Sequence, residues 1–189
     1  MGFVIEDGRG TGRTVGVDEN GLLGVRAVTQ SIEHSVNHEQ GLAFNIVFNQ
    51  TPGTTDACIL YLENTSERDI VIEGVLLSLA GATEIYTKLN DKGSRNAPTD
   101  IVPVNLNAGS GNVATGTFEQ GSDLAGGSAT LSGGKECCRG VFRGAISSTF
   151  FNFSQDIIIP KGATFSVYST AAVEIDATMP FNYHDRIGR

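Results

Sequence analysis

Four groups of residues have side chains suited to chemistry, and their spacing decides what each can do. Gly8-Arg9-Gly10-Thr11-Gly12-Arg13-Thr14 resembles a phosphate loop, in which the amides of a glycine-rich turn cradle phosphate oxygens. Counting back from Gly12 puts Asp7 where the first Walker glycine must stand, and Arg13 replaces the lysine that reaches the terminal phosphates. The dinucleotide pattern fails as well, because Gly10 and Gly12 would need a glycine at Val15. His34 and His38, flanked by Glu33 and Glu39, would share one face of a helical turn in metal-ligand geometry. Only His184 remains as a third imidazole, so the segment reads as a polar linker. Cys137 and Cys138 stand beside Lys135 and Arg139, cations that lower a thiol pKa where they approach it. The bland reading is a pair of small, partly buried thiols at a strand start. Carboxylates lie chiefly in turns, where solvation explains them, rather than facing each other across a cleft. No histidine falls on a core strand to serve a nucleophile as base. The chain is therefore expected not to be an enzyme and to use no cofactor and no metal.

The elements that would position any site are short strands. From about Leu42 onward, β-like runs alternate with turn residues, as in a sandwich or barrel. Phe44, Ile46 and Phe48 alternate with Asn45, Val47 and Asn49. Cys58 to Leu62 and Ile70 to Ile72 read as a hairpin pair, and Val75 to Leu79 and Glu84 to Leu89 continue the sheet. Ile101 to Leu106 is a strand that Pro103 confines to an edge or bulge. Residues 107–135 form a long, weakly hydrophobic loop of the kind that is functional or disordered. Val141 to Phe153 and Ile157 to Ile159 return to the core, and Phe165 to Tyr168 with Val173 to Ala177 supply a last hairpin. About eight strands without a convincing amphipathic helix predict an all-β antiparallel sandwich, jelly-roll-like, over residues 41–183. Residues 184–189 read as a polar tail.

Residues 1–40 differ from the rest. Glycine totals 24 in 189 residues, against about 13 expected from average usage. Seven of these, from Gly2 to Gly24, are spaced too closely for a long regular element. This stretch reads as an extended arm and linker whose Arg9, Arg13, Val17, Leu22, Leu23, Val25 and Arg26 would grip another surface. The net charge of −8 argues against nucleic acid as a partner, since that affinity depends on Lys and Arg. No run approaches the roughly 20 apolar residues of a membrane-spanning helix, and Met1 to Glu6 carries neither a signal-peptide nor a myristoylation pattern. Three cysteines are too few for a disulfide scaffold and are expected to be free thiols in a reducing cytosol.

Several phrases resemble a group of small bacteriophage virion proteins. They are Asp7-Gly8-Arg9-Gly10-Thr11-Gly12-Arg13, Val17-Asp18-Glu19-Asn20-Gly21-Leu22-Leu23 and Ala27-Val28-Thr29 in the arm. The body adds Ile59-Leu60-Tyr61-Leu62-Glu63-Asn64, Arg68-Asp69-Ile70-Val71-Ile72 and Ile159-Pro160-Lys161-Gly162-Ala163. The resemblance implies a capsid decoration (cement) protein with a jelly-roll-like body, added outside the head as a homotrimer. Its partners would be the major capsid protein or other virion subunits, and its location the virion. A tail, baseplate or head-fibre component is the first alternative. A carbohydrate-binding jelly-roll module is the second, although no Trp and only four Tyr leave little for an aromatic platform.

Overall fold

The structure, a computed structural model, describes residues 37, 40–126 and 131–185. No α-helix occurs among them. The strands are β1 (Ala43–Gln50), β2 (Ala57–Glu63), β3 (Asp69–Leu79), β4 (Thr83–Leu89), β5 (Thr99–Asp100), β6 (Val104–Asn105), β7 (Thr117–Gln120), β8 (Lys135–Phe142), β9 (Ile146–Ile159), β10 (Thr164–Ser169) and β11 (Ile175–His184). They form two antiparallel sheets, ordered β6-β1-β11-β3-β9 and β5-β7-β2-β10-β4-β8.

Setting aside β5, β6 and β7, the long strands nest as pairs: β1 with β11, β2 with β10, β3 with β9 and β4 with β8. This is the pairing of a single long hairpin. It is folded over so that β11 also meets β3 and β10 also meets β4, which closes a double Greek-key jelly roll. Period-two alternation drives the packing of the two sheets. Phe44, Ile46 and Phe48 of β1 point inward, as do Ile175, Ala177, Met179 and Phe181 of β11, all at most 4% exposed. Phe181 stacks on its ladder partner Phe44 in the same sheet and, across the core, on Phe118, each with ring centroids 5.5 Å apart.

Between β4 and β8 lies a long excursion, of which residues 90–126 and 131–134 are described; it adds short strands to the edges of both sheets and packs on the outside of the six-stranded one. An antiparallel bridge between Lys92 and Ser132 closes the base of this excursion. On the way, β7 pairs with β2, β5 pairs with β7, and β6 pairs with β1. The expected long loop at 107–135 thus contains a strand, and its Leu124 and Leu131 are buried against Cys58, Tyr61, Tyr86 and Tyr168. This second, smaller core explains why β2 and β10 are buried along nearly their whole lengths instead of alternating.

Two expected hairpins are corrected. β2 and β3 lie in different sheets, and so do β10 and β11, so each connection arches over the core. Ile70 to Ile72 and Val75 to Leu79 belong to one strand, β3, whose register against β9 shifts at Gly74. Of the expected strand Ile101 to Leu106, only Val104 and Asn105 pair, at the sheet edge.

Candidate functional site

The most unusual feature of the exterior is an apolar row on the outer face of the five-stranded sheet. The ladder registers set Val47 opposite Thr178, Thr178 opposite Leu76, and Leu76 opposite Phe150, so four neighbouring strands present one continuous line. Val47 is 60%, Leu76 42% and Phe150 45% exposed. Phe150 lies over Gly74, where a Cβ would stand 2.8 Å from the tip of the ring, so glycine lets the aromatic side chain settle on bare backbone. Beside the row runs an open groove of about 470 Å³ bordered by Asn49, Ser148 and Asp176. A second groove of about 320 Å³ on the same face is lined by Ala43, Val71, Leu106 and Pro180. Acids flank the row, with Asp176 in the first groove and Glu73 in the second. Contiguous apolar exposure of this kind marks an interaction surface more often than chance packing does.

The outer face of the other sheet gathers chemically capable groups but closes them off. Asp91 is 1% exposed; its carboxylate accepts from the Gly134 amide at 3.0 Å, the Ser166 hydroxyl at 3.0 Å and the Tyr168 hydroxyl at 2.5 Å. Tyr86 stacks on Tyr168 at 5.0 Å, with the Lys88 ammonium 4.4 Å from the Tyr168 ring centre. Glu119, also buried, holds Arg95 through two oxygens, and that guanidinium covers the ring of Tyr61 at 4.5 Å. These carboxylates depart from the expectation that Asp and Glu occupy solvated turns. Each is committed to protein partners, and the tyrosines beneath are at most 6% exposed, so they form no open platform for a sugar ring.

The cysteines follow the same division. Burial pushes the Cys58 thiol well above its ordinary range. Burial, with Cys137 adding to it, raises Cys138 too. Cys137 is exposed, in contrast to the partly buried pair expected, and contacts the Thr87 hydroxyl at 3.1 Å. Arg139 is engaged by Glu136 in a bidentate pair and by Glu84, while it covers Tyr86 at 4.5 Å. Its charge is thereby directed to carboxylates, and the Arg139 pairing draws the Glu136 carboxyl down below its usual range.

The arm residues Arg9, Arg13, Val17, Leu22, Leu23, Val25 and Arg26 lie outside the described residues, as do His34 and His38. Among the described residues, no group of three or more His, Cys, Asp or Glu has metal-binding geometry. The apolar row was missed in the sequence, but a signal was present. Ile46-Val47-Phe48, Val75-Leu76-Leu77 and Phe150-Phe151 each run apolar residues consecutively through a strand, which forces one outward unless both faces are covered. The chain matches no protein-family model, no curated protein and no solved structure.

Proposed function

We propose that this chain is a bacteriophage virion structural protein, a capsid decoration protein that binds the outside of the head and stabilises it. The observation that carries the reading is the apolar row Val47-Thr178-Leu76-Phe150, exposed among the described residues on the exterior of a jelly roll, an architecture that capsid components share. A surface of this kind suits a protein that works by attachment. The row would lie against the major capsid protein or another shell subunit, while Leu22, Leu23 and Val25 of the arm would fill apolar grooves and Arg9, Arg13 and Arg26 would meet acidic ones. Each contact is weak alone, but many copies on one particle compensate through multivalency. The chain's net charge of −8 keeps it soluble before assembly.

The test is gold-labelled antibody against this chain, applied to purified virions and imaged by electron microscopy. Label distributed over the head supports decoration. Label confined to the tail or baseplate replaces decoration with the tail-component reading, and unlabelled particles refute a virion role. Binding assays on heads lacking the protein then address the arm: removing residues 1–30 is expected to abolish coating while the far-ultraviolet circular dichroism of the body is unchanged. Coating by the truncated protein would overturn the arm's part in attachment.

A further inference from the structure

The strand β8 carries two consecutive cysteines, and its pairing with β4 is irregular at that point. Thr87 stands opposite Cys138 while the next residue, Lys88, stands opposite Glu136, so Cys137 is an extra residue in the ladder. In a regular strand successive side chains leave on opposite faces, which would put the two sulfurs on either side of the sheet. An inserted residue breaks that alternation. Cys138 packs against the main core, and Thr87, its buried ladder partner, faces the same way. Cys137 Sγ lies 3.1 Å from the Thr87 hydroxyl and donates to the Thr87 carbonyl at 3.5 Å. The Cys138 thiol interacts with that same hydroxyl and with the Cys137 thiol. Both thiols therefore converge beside one hydroxyl. Glu136 and Arg139 go the other way, paired with each other where Arg139 covers Tyr86 on the outer face.

A pair of this kind is poorly placed for a bond between its own sulfurs and well placed for an atom held between them. Consecutive Cα atoms are about 3.8 Å apart across a trans peptide, short of the roughly 4.4 Å at which ordinary disulfides begin. A bridging ion relieves that constraint, because two metal–thiolate bonds of about 2.3 Å span more than one sulfur–sulfur bond of about 2.05 Å. The number of ligands then selects the ion. Among the described residues no third His, Cys, Asp or Glu joins the thiols in metal-binding geometry. Glu136 is held by Arg139, and Cys58 is sealed in the smaller core. Structural zinc takes four ligands, and calcium and magnesium take oxygen. Monovalent copper is soft, is selected by thiolates, and as a closed-shell d10 ion is content with two of them. Exposure of Cys137 gives such an ion a way in from solvent.

We propose that Cys137 and Cys138, turned to one side by the bulge in β8, form a two-thiolate site for a soft monovalent cation, Cu(I). On binding, two copper–sulfur bonds form while the two thiols give up their protons to solvent. No electron moves, so no oxidant is required. The site departs from the expectation, read from the sequence, of a chain that uses no metal, and it stands independently of the virion reading.

The test titrates the full chain, reduced and kept free of oxygen, against the coloured complex of Cu(I) with bicinchoninate. Loss of colour equivalent to a single ion per chain is expected. Cys137→Ser and Cys138→Ser should each weaken uptake by roughly a hundredfold or more, since the second bond of a chelate forms intramolecularly. Glu136→Cys/Cys137→Ser restores the number of thiols but sets the new one on the outer face, and should not restore binding. The unmutated chain gives a second reading: stoichiometric Cu(I) should protect Cys137 and Cys138 together from iodoacetamide. Absence of uptake, unchanged affinity in either serine variant, full binding by Glu136→Cys/Cys137→Ser, or protection of Cys137 alone would each overturn the site.

Discussion

Asp91 is a carboxylate turned away from water, and the donors that compensate for its desolvation come from three places in the chain: Gly134, Ser166 and Tyr168. Gly134 must be glycine for the approach, because a Cβ there would collide with the Asp91 carboxylate. Replacing Asp91 by Ala leaves the Ser166 and Tyr168 hydroxyls buried without their acceptor. Leaving a buried donor unsatisfied costs roughly 1–3 kcal/mol, so Asp91→Ala is expected to lower unfolding stability by about 3 kcal/mol in urea titrations. Asp91→Asn, which keeps an acceptor, should lose less than half of that. Nothing in the polar run Asn90-Asp91-Lys92-Gly93 distinguishes Asp91 from the exposed acids nearby. Its role depends on β10, some 75 residues later, and is invisible to local pattern. The thiols give a second check at this scale. Mass spectrometry after iodoacetamide treatment of the folded protein should find Cys137 modified first, Cys138 more slowly, and Cys58 only after denaturation.

Among the elements, β3 depends most on one residue. A Cβ at Gly74 would stand 2.5 Å from the Phe151 carbonyl oxygen and 2.8 Å from the Phe150 ring, so either β9 retreats or Phe150 lifts off the sheet. Gly74→Ala is expected to destabilise the fold by roughly 1–3 kcal/mol, the usual range for overpacking, and calorimetry would read this as a lower Tm. The sequence disclosed the strands better than their partners. Alternation at Phe44, Ile46 and Phe48 tells which side chains face inward, because that depends only on the strand's own pleat. It does not tell that β2 pairs with β10 instead of β3, because nested long-range pairing is a property of the whole chain. Neighbouring apolar runs look like hairpins for this reason, although the connections β2–β3 and β10–β11 cross between sheets. The excursion at 90–134 hid its order for a related cause: Leu124 and Leu131 are isolated apolar residues among Gly and Ser, and only Tyr61, Tyr86 and Tyr168 beneath them give them a core.

At the scale of the whole molecule, an attachment surface and a stable body should be separable. Leu76 and Val47 point outward, so Val47→Ser/Leu76→Ser is expected to leave Tm within a few degrees of the parent while lowering binding to heads at least tenfold; unchanged coating would remove the apolar row from the attachment surface. The body itself should lose stability in alkali, through its tyrosines. Tyr61, Tyr86 and Tyr183 are each pushed from about 10 up to about 12, chiefly by burial. Tyr61 and Tyr86 are raised further by the acids Glu63 and Asp56. Tyr183 is held by the Thr115 backbone, which accepts its hydroxyl at 2.7 Å and donates back at 2.8 Å. Burial raises Tyr168 as well. A folded-state value above the unfolded one means that the fold favours the neutral phenol. The contribution is therefore fully present below about 10 and is lost as pH rises toward about 12, because the unfolded chain ionises first. Chemical denaturation from pH 8 to 12 should accordingly show a stability plateau ending near 10 and then a decline, with phenolate absorbance appearing in step with unfolding. Tyr183→Phe should lower the plateau, through the loss of both Thr115 hydrogen bonds, yet make the decline shallower, since one titrating group has been removed. An absorbance rise near pH 10 in protein that remains folded would show instead that these hydroxyls are open to solvent and that the two cores are looser than their packing indicates.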